Sequence, residues 1–351
     1  MKKLVSKIKA RKQPKEPVGR ITNDTLAEHR EKVLAGGRKF KYPVQYARHK
    51  LVINAVIIAA LAAVFVVAAF WYLLYPAQNT SEFMYRVTKV APVPVATVDG
   101  QPVRYSDYLM KYRSALHYLV EKERVDIKTP DGKRQITFIK NSSMDDAVAD
   151  AYAQKLAKEF GLKVEGSEID AFLKRARQAD DEEISEAAQV GVLADYYGWT
   201  MSEYRGVVAQ KLLRQQVAYK VDDKARGVGA SIEKSLAADM PMKDIAATLN
   251  VDTKDTVVYT PPVWVPKTNQ DNGIAEAVAG LKKGEVARAV KTPGDGYYYI
   301  RLIDTKDSQI QYEYIHVPLT AFMTQLKSIK DDGKVQYFIK LDPMASKEEN
   351  K

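Results

Sequence analysis

The stretch VPVATVDGQPVRYSDYLMKY, residues 93–112, predicts a strand, a tight turn, a second strand and the start of a helix. Alternating valine and threonine residues flank Asp99-Gly100, a pair that tolerates the positive φ angles of a two-residue hairpin turn. Ser106 stands where a helix cap is expected, ahead of apolar residues at helical spacing. We therefore expect a β-hairpin that leads directly into a capped helix.

Helical patterns dominate the chain after this hairpin, from residue 144 to residue 221, with short joints between them. Before them, Pro130-Asp131-Gly132 separates two apolar runs, which predicts a second hairpin or loop over residues 125–139. Gly227 and Gly229 follow the helices in the stretch DDKARGVGAS and are interpreted as part of a flexible joint.

One long apolar segment, LVINAVIIAALAAVFVVAAFWYLLY at residues 51–75, carries no charge. As a helix it covers roughly 37 Å, enough to span a bilayer with some tilt. Arg48, His49 and Lys50 precede it, whereas PAQNTS follows it without charge, so the positive-inside rule places residues 1–50 in the cytoplasm and the rest of the chain outside. A cleaved signal peptide is disfavoured because the basic tail and the apolar stretch are both too long. Residues 76–92 are interpreted as a linker.

The positive charge of the protein is concentrated in the tail. Residues 1–50 hold 15 basic and 4 acidic residues, out of a formal net charge of +10 for the whole chain. The tail is predicted to determine topology and to contact anionic lipid, with binding of RNA or a ribosome as the alternative. The remaining chain is close to neutral, so no nucleic-acid partner is expected there.

Composition excludes several chemistries. The chain has no cysteine, hence no disulfide, thiolate metal site or cysteine nucleophile, and only four histidines, without metal-ligand spacing. No cofactor and no metal are expected. The acidic run at residues 180–183 lacks the spacing of a calcium loop and is interpreted as a solvated joint.

The order of VATVDGQPVRYSDYLMKY, AYAQKLAKEFGLKVEGSEIDAFLKR and YYGWTMSEYRGVVAQKLLRQQV resembles the N-terminal chaperone module of the SurA and PrsA foldases. The resemblance implies a helical module over residues 93–226. In such chaperones a C-terminal piece completes this module, so residues 335–341 are expected to form a strand that pairs near residues 93–105. Residues 320–351 would then hold a C-terminal helix, this strand and a frayed end.

A second resemblance concerns residues 227–319. The run GIAEAVAGLKKGEVARAVKTPGDGYYYIRLID, residues 273–304, is similar to the end of a parvulin prolyl isomerase domain: a short helix, a strand, a glycine turn at 294–296 and a closing strand. A parvulin opens with a histidine-bearing strand, but only YEYIHVPL, after the closing strand, offers one. Because the first and last parvulin strands are neighbours, a hairpin turning at 304–308 would place residues 310–318 in the vacant position. A truncated second repeat is the alternative, disfavoured because only about 35 residues follow.

The expected fold class is therefore α+β: a single transmembrane helix, a helical chaperone module and a small parvulin-like α/β sandwich in a circularly permuted arrangement. The parvulin resemblance implies a pocket in which His316 orients polar groups around a twisted prolyl amide, with apolar residues gripping the ring. The candidate lining residues are Trp264, Tyr299, Phe322 and Met323. The alternative, favoured because a second pocket histidine is missing, makes His316 an ordinary strand-end residue and the aromatic side chains part of the core.

These patterns predict a membrane-anchored extracytoplasmic foldase or holdase whose partners are unfolded or newly translocated polypeptides, with prolyl isomerase activity left open. The alternative is a non-catalytic envelope scaffold that kept the fold and binds one partner. The two differ in client range, because a holdase suppresses aggregation of several unrelated proteins and a scaffold does not.

Overall fold

The structure is a computed structural model that describes residues 22–41, 43–179, 182–251, 256–269, 271, 273–291 and 295–343. The chain divides into two compact units, residues 1–72 and 73–351. Several expectations from the sequence lie outside the described residues: the first 21 residues of the basic tail, the acidic pair at 180–181, Gly294 in the glycine turn, and most of the frayed end.

The first unit is helical where it is described. Helix α1 spans Asn23–Lys41 and helix α2 spans Pro43–Leu74. Within the described chain, one helical segment, Lys50–Leu74, is long and apolar enough to cross a membrane by length and composition. Its residues 51–68 are all exposed, an arrangement that suits a lipid environment better than water.

The second unit combines helices with two larger sheets and one short ribbon. The N-terminal helices and strands are α3 (Glu82–Val90), β1 (Pro94–Val98), β2 (Gln101–Arg104), α4 (Tyr105–His117), a π-helical turn (Tyr118–Lys122), α5 (Pro130–Phe160), α6 (Gly166–Arg177), β3 (Gln178–Ala179), β4 (Glu182–Glu183), α7 (Glu186–Tyr197) and α8 (Met201–Val221). The remaining elements are α9 (Asp223–Ala237), α10 (Met242–Leu249), β5 (Val258–Pro266), α11 (Ile274–Val278), β6 (Val286–Lys291), β7 (Gly296–Thr305), β8 (Gln309–Pro318), α12 (Ala321–Asp331) and β9 (Val335–Tyr337).

The predicted first hairpin is confirmed. Strands β1 and β2 pair antiparallel through Val98 and Gln101, and the two turn residues, Asp99 and Gly100, have φ angles of 45° and 80°. Glycine and aspartate accept this left-handed conformation with little strain, which is why the pair fixes the turn.

The predicted return of the C-terminal segment is also confirmed. Strand β9 pairs antiparallel with β1, opposite residues 96–98, and gives the sheet the order β2-β1-β9. The paired part of β9 is shorter than predicted, since it ends at Tyr337, although the Phe338 amide still donates to the Val95 carbonyl at 2.9 Å.

Three local predictions need correction, because residues typical of turns and linkers also occur in helices. Residues 125–139 form no hairpin, and the predicted loop is limited to residues 125–129. Thr129 caps α5 by accepting from the Gly132 amide, and Pro130 occupies the first helical turn, where its missing N–H costs nothing. The expected linker contains α3, capped by Ser81 and partly buried. The expected flexible joint at 222–231 lies in α9.

A smaller correction concerns the start of α4. The helix begins at Tyr105, and Ser106 lies buried inside its first turn rather than at the cap.

The second sheet has the antiparallel order β5-β8-β7-β6. The hairpin predicted at residues 304–308 is present, and it places β8 between β5 and β7. One face of this sheet packs on α9 and α10 and the other on α11. Alternate residues of β7 therefore belong to different cores.

Candidate functional site

His316 lies on β8, directly opposite Tyr298 of β7 and Val258 of β5. Its ring stacks on the Tyr298 ring, with centroids 4.4 Å apart, and its Nε2 lies 3.2 Å from the Asp295 carbonyl oxygen. The side chain is only 16% exposed. The histidine thus holds the chain segment just before β7 against the sheet.

Tyr298 and Asp295 complete a small polar network around His316. The Tyr298 hydroxyl donates to the Asp295 carboxylate at 2.9 Å, and that carboxylate lies 3.8 Å from His316 Nε2. Burial and the adjacent carboxylate together raise the pKa of Tyr298 well above its ordinary value. Tyr298 therefore donates to the Asp295 carboxylate from the position on β7 that faces His316.

Two of the expected pocket residues lie on the other face of the sheet. Tyr299 follows Tyr298 on β7, so it points to the opposite core, where it packs with Ile315 and is 2% exposed. Trp264 of β5 pairs with Gln311 of β8, an odd number of residues from His316, and therefore lies on the face away from it. The Lys306 ammonium group lies over the Trp264 ring, 4.3 Å from its centroid. The structure does not bring either residue together with His316.

The other two expected pocket residues lie on α12, beyond the sheet. Phe322 is buried and stacks on Tyr152 of α5, with ring centroids 5.6 Å apart. Met323, its neighbour, is 60% exposed. The five side chains proposed for an isomerase pocket therefore do not converge, because strand alternation and the helix after β8 separate them.

A larger site lies elsewhere, in a groove between α6, α8 and the four-stranded sheet. Its volume is about 680 Å³, within the usual range for ligand sites, roughly 300–1,000 Å³. We call it the α6–α8 groove. Its lining residues are Leu162, Glu168, Ala171, Phe172, Arg175, Leu212, Gln215, Gln216, Tyr219, Lys220, Arg226, Lys291 and Tyr297.

The floor of the α6–α8 groove is aromatic and apolar. The Tyr219 and Tyr297 rings meet edge to face at 5.0 Å, and the Tyr219 hydroxyl donates to the Gly296 carbonyl. Burial raises the pKa of Tyr219 to about 12. Phe172 and Leu212 are half-buried and add apolar surface from the facing helices.

Positive charge surrounds this floor. Four of the lining residues are basic and one, Glu168, is acidic. The Glu168 carboxylate is hydrogen-bonded within the protein: it accepts from the Glu165 amide at 2.8 Å and from Gln216 Nε2 at 3.1 Å. Within the described residues, Lys220 and Lys291 have no carboxylate within salt-bridge distance; their ammonium groups lie over the rings of Phe160 and Tyr219, at 5.9 Å and 5.3 Å.

The groove residues were not predicted from the sequence, although their spacing along two helices was a usable signal. Helix α6 contributes residues 168, 171, 172 and 175, and α8 contributes 212, 215, 216 and 219. Both sets follow the i, i+3, i+4, i+7 spacing of one helix face. The facing of these two stripes depends on how α6 and α8 pack together, which local patterns do not specify.

A second surface, the aromatic patch, is formed near the end of α7 by residues 118, 138, 196, 197 and 199. Tyr197 and Trp199 stack at 4.7 Å, and an adjoining apolar pocket measures about 600 Å³. Phe138 at its edge is 59% exposed. Among the described residues, the Trp199 Nε1–H is buried and has no hydrogen-bond acceptor.

No metal centre is apparent in the part of the chain that the structure describes, since no three histidine, aspartate or glutamate side chains there cluster suitably.

Residues 45–218 match the family described as SurA-like N-terminal domain. The matched range covers the apolar part of α2 as well as the helical module. No curated protein and no solved structure gave a significant match.

Proposed function

Because the chain carries a SurA-like N-terminal domain, which supports a SurA/PrsA-type chaperone, we propose that it is a membrane-anchored, extracytoplasmic holdase for unfolded or newly translocated polypeptides. Domains of this family generally bind unfolded polypeptides. The observation that carries the proposal is the α6–α8 groove, which places an open apolar floor beside two helices of the matched region.

The groove has the properties that binding of many different segments requires. An extended chain brings side chains of variable size, and half-buried Phe172 and Leu212 present apolar surface without a closed shape. Affinity then comes from buried apolar area rather than from a fit to one sequence.

The aromatic patch offers a second contact of the same character. An extended polypeptide brings apolar side chains of variable size, and the exposed Phe138 and Tyr197 rings beside the apolar pocket provide surface for them. Contact with apolar surface does not depend on one client sequence, which suits a holdase better than a single-partner scaffold.

The membrane part of the proposal rests on α2. We propose that Lys50–Leu74 spans the bilayer with the basic tail in the cytoplasm, where it contacts anionic lipid, and with the second unit outside. Protease treatment of intact cells tests this orientation: residues 76–351 should be digested and the tail protected.

The holdase proposal is tested with the full chain in nanodiscs and several chemically unfolded proteins of unrelated sequence. We expect light scattering from their aggregation to fall in proportion to the chaperone added. The double substitution of Phe172 and Leu212 by alanine should weaken this effect, whereas Phe83→Ala, an exposed change on α3, should not. Failure to protect any client, with capture of one specific envelope protein, would instead favour the scaffold.

We also propose that the four-stranded sheet is a parvulin-like domain in which β8 fills the place of the opening strand. Its position beside β7, with His316 opposite Tyr298, supports this permuted arrangement. The resemblance leaves isomerase activity open, and His316 is the residue through which it can be tested.

A further inference from the structure

We infer that the α6–α8 groove selects client segments in which acidic residues stand among apolar ones. The inference rests on the proposed holdase function and names the chemistry of its substrates. It follows from the imbalance of charge around the groove, where four cations surround an apolar floor and the single carboxylate is bonded within the protein.

The four cations are not equally available to a bound chain. Arg226 is held by the carbonyls of Tyr219 and Lys220 and by the Asp223 carboxylate, and Arg175 lies 3.9 Å from Glu276. Lys220 and Lys291 are the available pair, since within the described residues neither has a carboxylate partner.

The Tyr219 ring holds the Lys291 ammonium group beside the apolar floor, whereas the Lys220 ammonium group lies over Phe160, which is outside the groove lining. A cation above a ring face is attracted to it, and the lysine stem covers apolar surface while the charge remains hydrated. A client carboxylate entering between apolar contacts would therefore meet a positive charge without either lysine breaking an existing ion pair. A client lysine or arginine at the same place would be repelled.

Charge complementarity of this kind changes selectivity and association rate more than total affinity. Individual exposed ion pairs are weak, so we expect the combined preference for an acidic over an uncharged peptide to be about tenfold. It should decrease strongly at high salt, because the lysines are exposed and screened.

The experiment uses the full chain in nanodiscs of zwitterionic lipid, which cannot compete for the cations. Three fluorescent peptides share the same apolar residues and differ only at two positions, which carry aspartate, asparagine or lysine. Fluorescence anisotropy should rank their affinities aspartate, asparagine, lysine. The double substitution K220E and K291E should weaken binding of the aspartate peptide and strengthen binding of the lysine peptide, so that this order is lost or inverted.

A control variant with the same change in net charge separates the groove from the general field of the protein. The substitutions K234E and K243E, on exposed positions of α9 and α10 outside the groove lining, should leave the ranking unchanged. Circular dichroism confirms that both double variants are folded.

Three results would overturn the inference, and they differ in whether the holdase function is also lost. Equal binding of the three peptides, or a ranking that the control variant changes as much as the groove variant, removes the acidic preference but leaves the holdase function standing. Absence of binding for all three, together with no suppression of aggregation, removes both.

Discussion

The carboxylate of Asp222 accepts a hydrogen bond from the backbone amide of Thr320, a residue 98 positions away, at 2.7 Å. The same oxygen accepts from Ala321 at 2.9 Å, and the other carboxylate oxygen accepts from Ala225 at 2.9 Å. One buried side chain thus caps α9 and α12 together. It fixes the end of the helical module against the segment that follows the sheet.

Replacement of Asp222 should loosen this junction. Alanine leaves three amide donors without their acceptor, which we expect to lower the free energy of unfolding by roughly 3 kcal/mol. Asparagine keeps one acceptor oxygen, so it should preserve only one of the two caps. Hydrogen exchange of the α12 amides and denaturant unfolding measure both effects.

The neighbouring Asp223 provides the control. Its side chain is 88% exposed and paired only at the surface, so Asp223→Asn should change stability by less than about 0.5 kcal/mol. Equal effects of the two asparagine variants would contradict the capping role of Asp222.

Two glycines of α9 should respond oppositely to alanine. A Cβ at Gly229 would lie 2.7 Å from the Tyr299 hydroxyl, whereas nothing lies within 4 Å of a Cβ at Gly227. We expect Gly229→Ala to destabilise the protein by about 1–3 kcal/mol, and Gly227→Ala to stabilise it by up to about 1 kcal/mol through helix propensity. Thermal unfolding measures the difference.

A double variant tests whether the close approach to the Tyr299 hydroxyl causes the destabilisation by Gly229→Ala. Tyr299→Phe removes the atom that approaches the new methyl group, so combining it with Gly229→Ala should recover much of the loss. Simple additivity of the two changes would show that the close approach is not responsible.

The β1–β2 turn should contribute to acid sensitivity. A hydrogen bond from Lys155 lowers the pKa of Asp99 below its unfolded value. The Asp99 carboxylate therefore binds a proton more readily in the unfolded state than in the folded one. The stability contributed by the Asp99–Lys155 pair is complete above the unfolded pKa of Asp99, near 4, and is lost as pH falls through the lower folded pKa. Asp99→Asn, which tolerates the same turn, should flatten the fall in Tm between about pH 5 and 3.

The matched variant is Lys155→Met. Once the ammonium group is removed, Asp99→Asn should have little further effect on the pH dependence, because only the smaller influence of Lys334 on the Asp99 pKa remains. A fall in Tm that stays as steep in Asp99→Asn as in the unaltered chain would exclude this pair as a source of acid sensitivity.

We expect no isomerase activity at His316. Magnetisation-exchange NMR on a short Ala-Pro peptide with the full chain should show no acceleration of cis/trans exchange, because the apolar residues expected to grip a proline lie on the opposite face or on α12. His316→Ala should likewise leave aggregation suppression intact. Acceleration that disappears in His316→Ala but persists in Trp264→Ala would establish an isomerase site at His316.

Elements defined by their own residues were predicted well. Asp99-Gly100 determines its turn locally, and the hairpin of β7 and β8 was expected from the parvulin resemblance of its sequence. Pro130-Asp131-Gly132 was misread because proline and glycine are common both in turns and in the first turn of a helix; Thr129 was the distinguishing signal.

The candidate site was harder to predict because it depends on packing between distant elements. Strand alternation alone already separates Tyr299 from His316, since residues facing Tyr298 and Tyr299 belong to different sides of the sheet. No local pattern, however, shows that Phe172, Tyr219 and Tyr297 line one groove. Their meeting requires α6, α8 and the sheet to be docked, which involves contacts across more than a hundred residues.

The pairing of β9 with β1 has a consequence for the order of synthesis. Strand β1 is synthesised long before its partner β9, so the three-stranded sheet cannot form completely while the intervening segments are still being made. A partly made chain of this protein thus exposes an unpaired strand edge and is itself, for a time, an unfolded polypeptide.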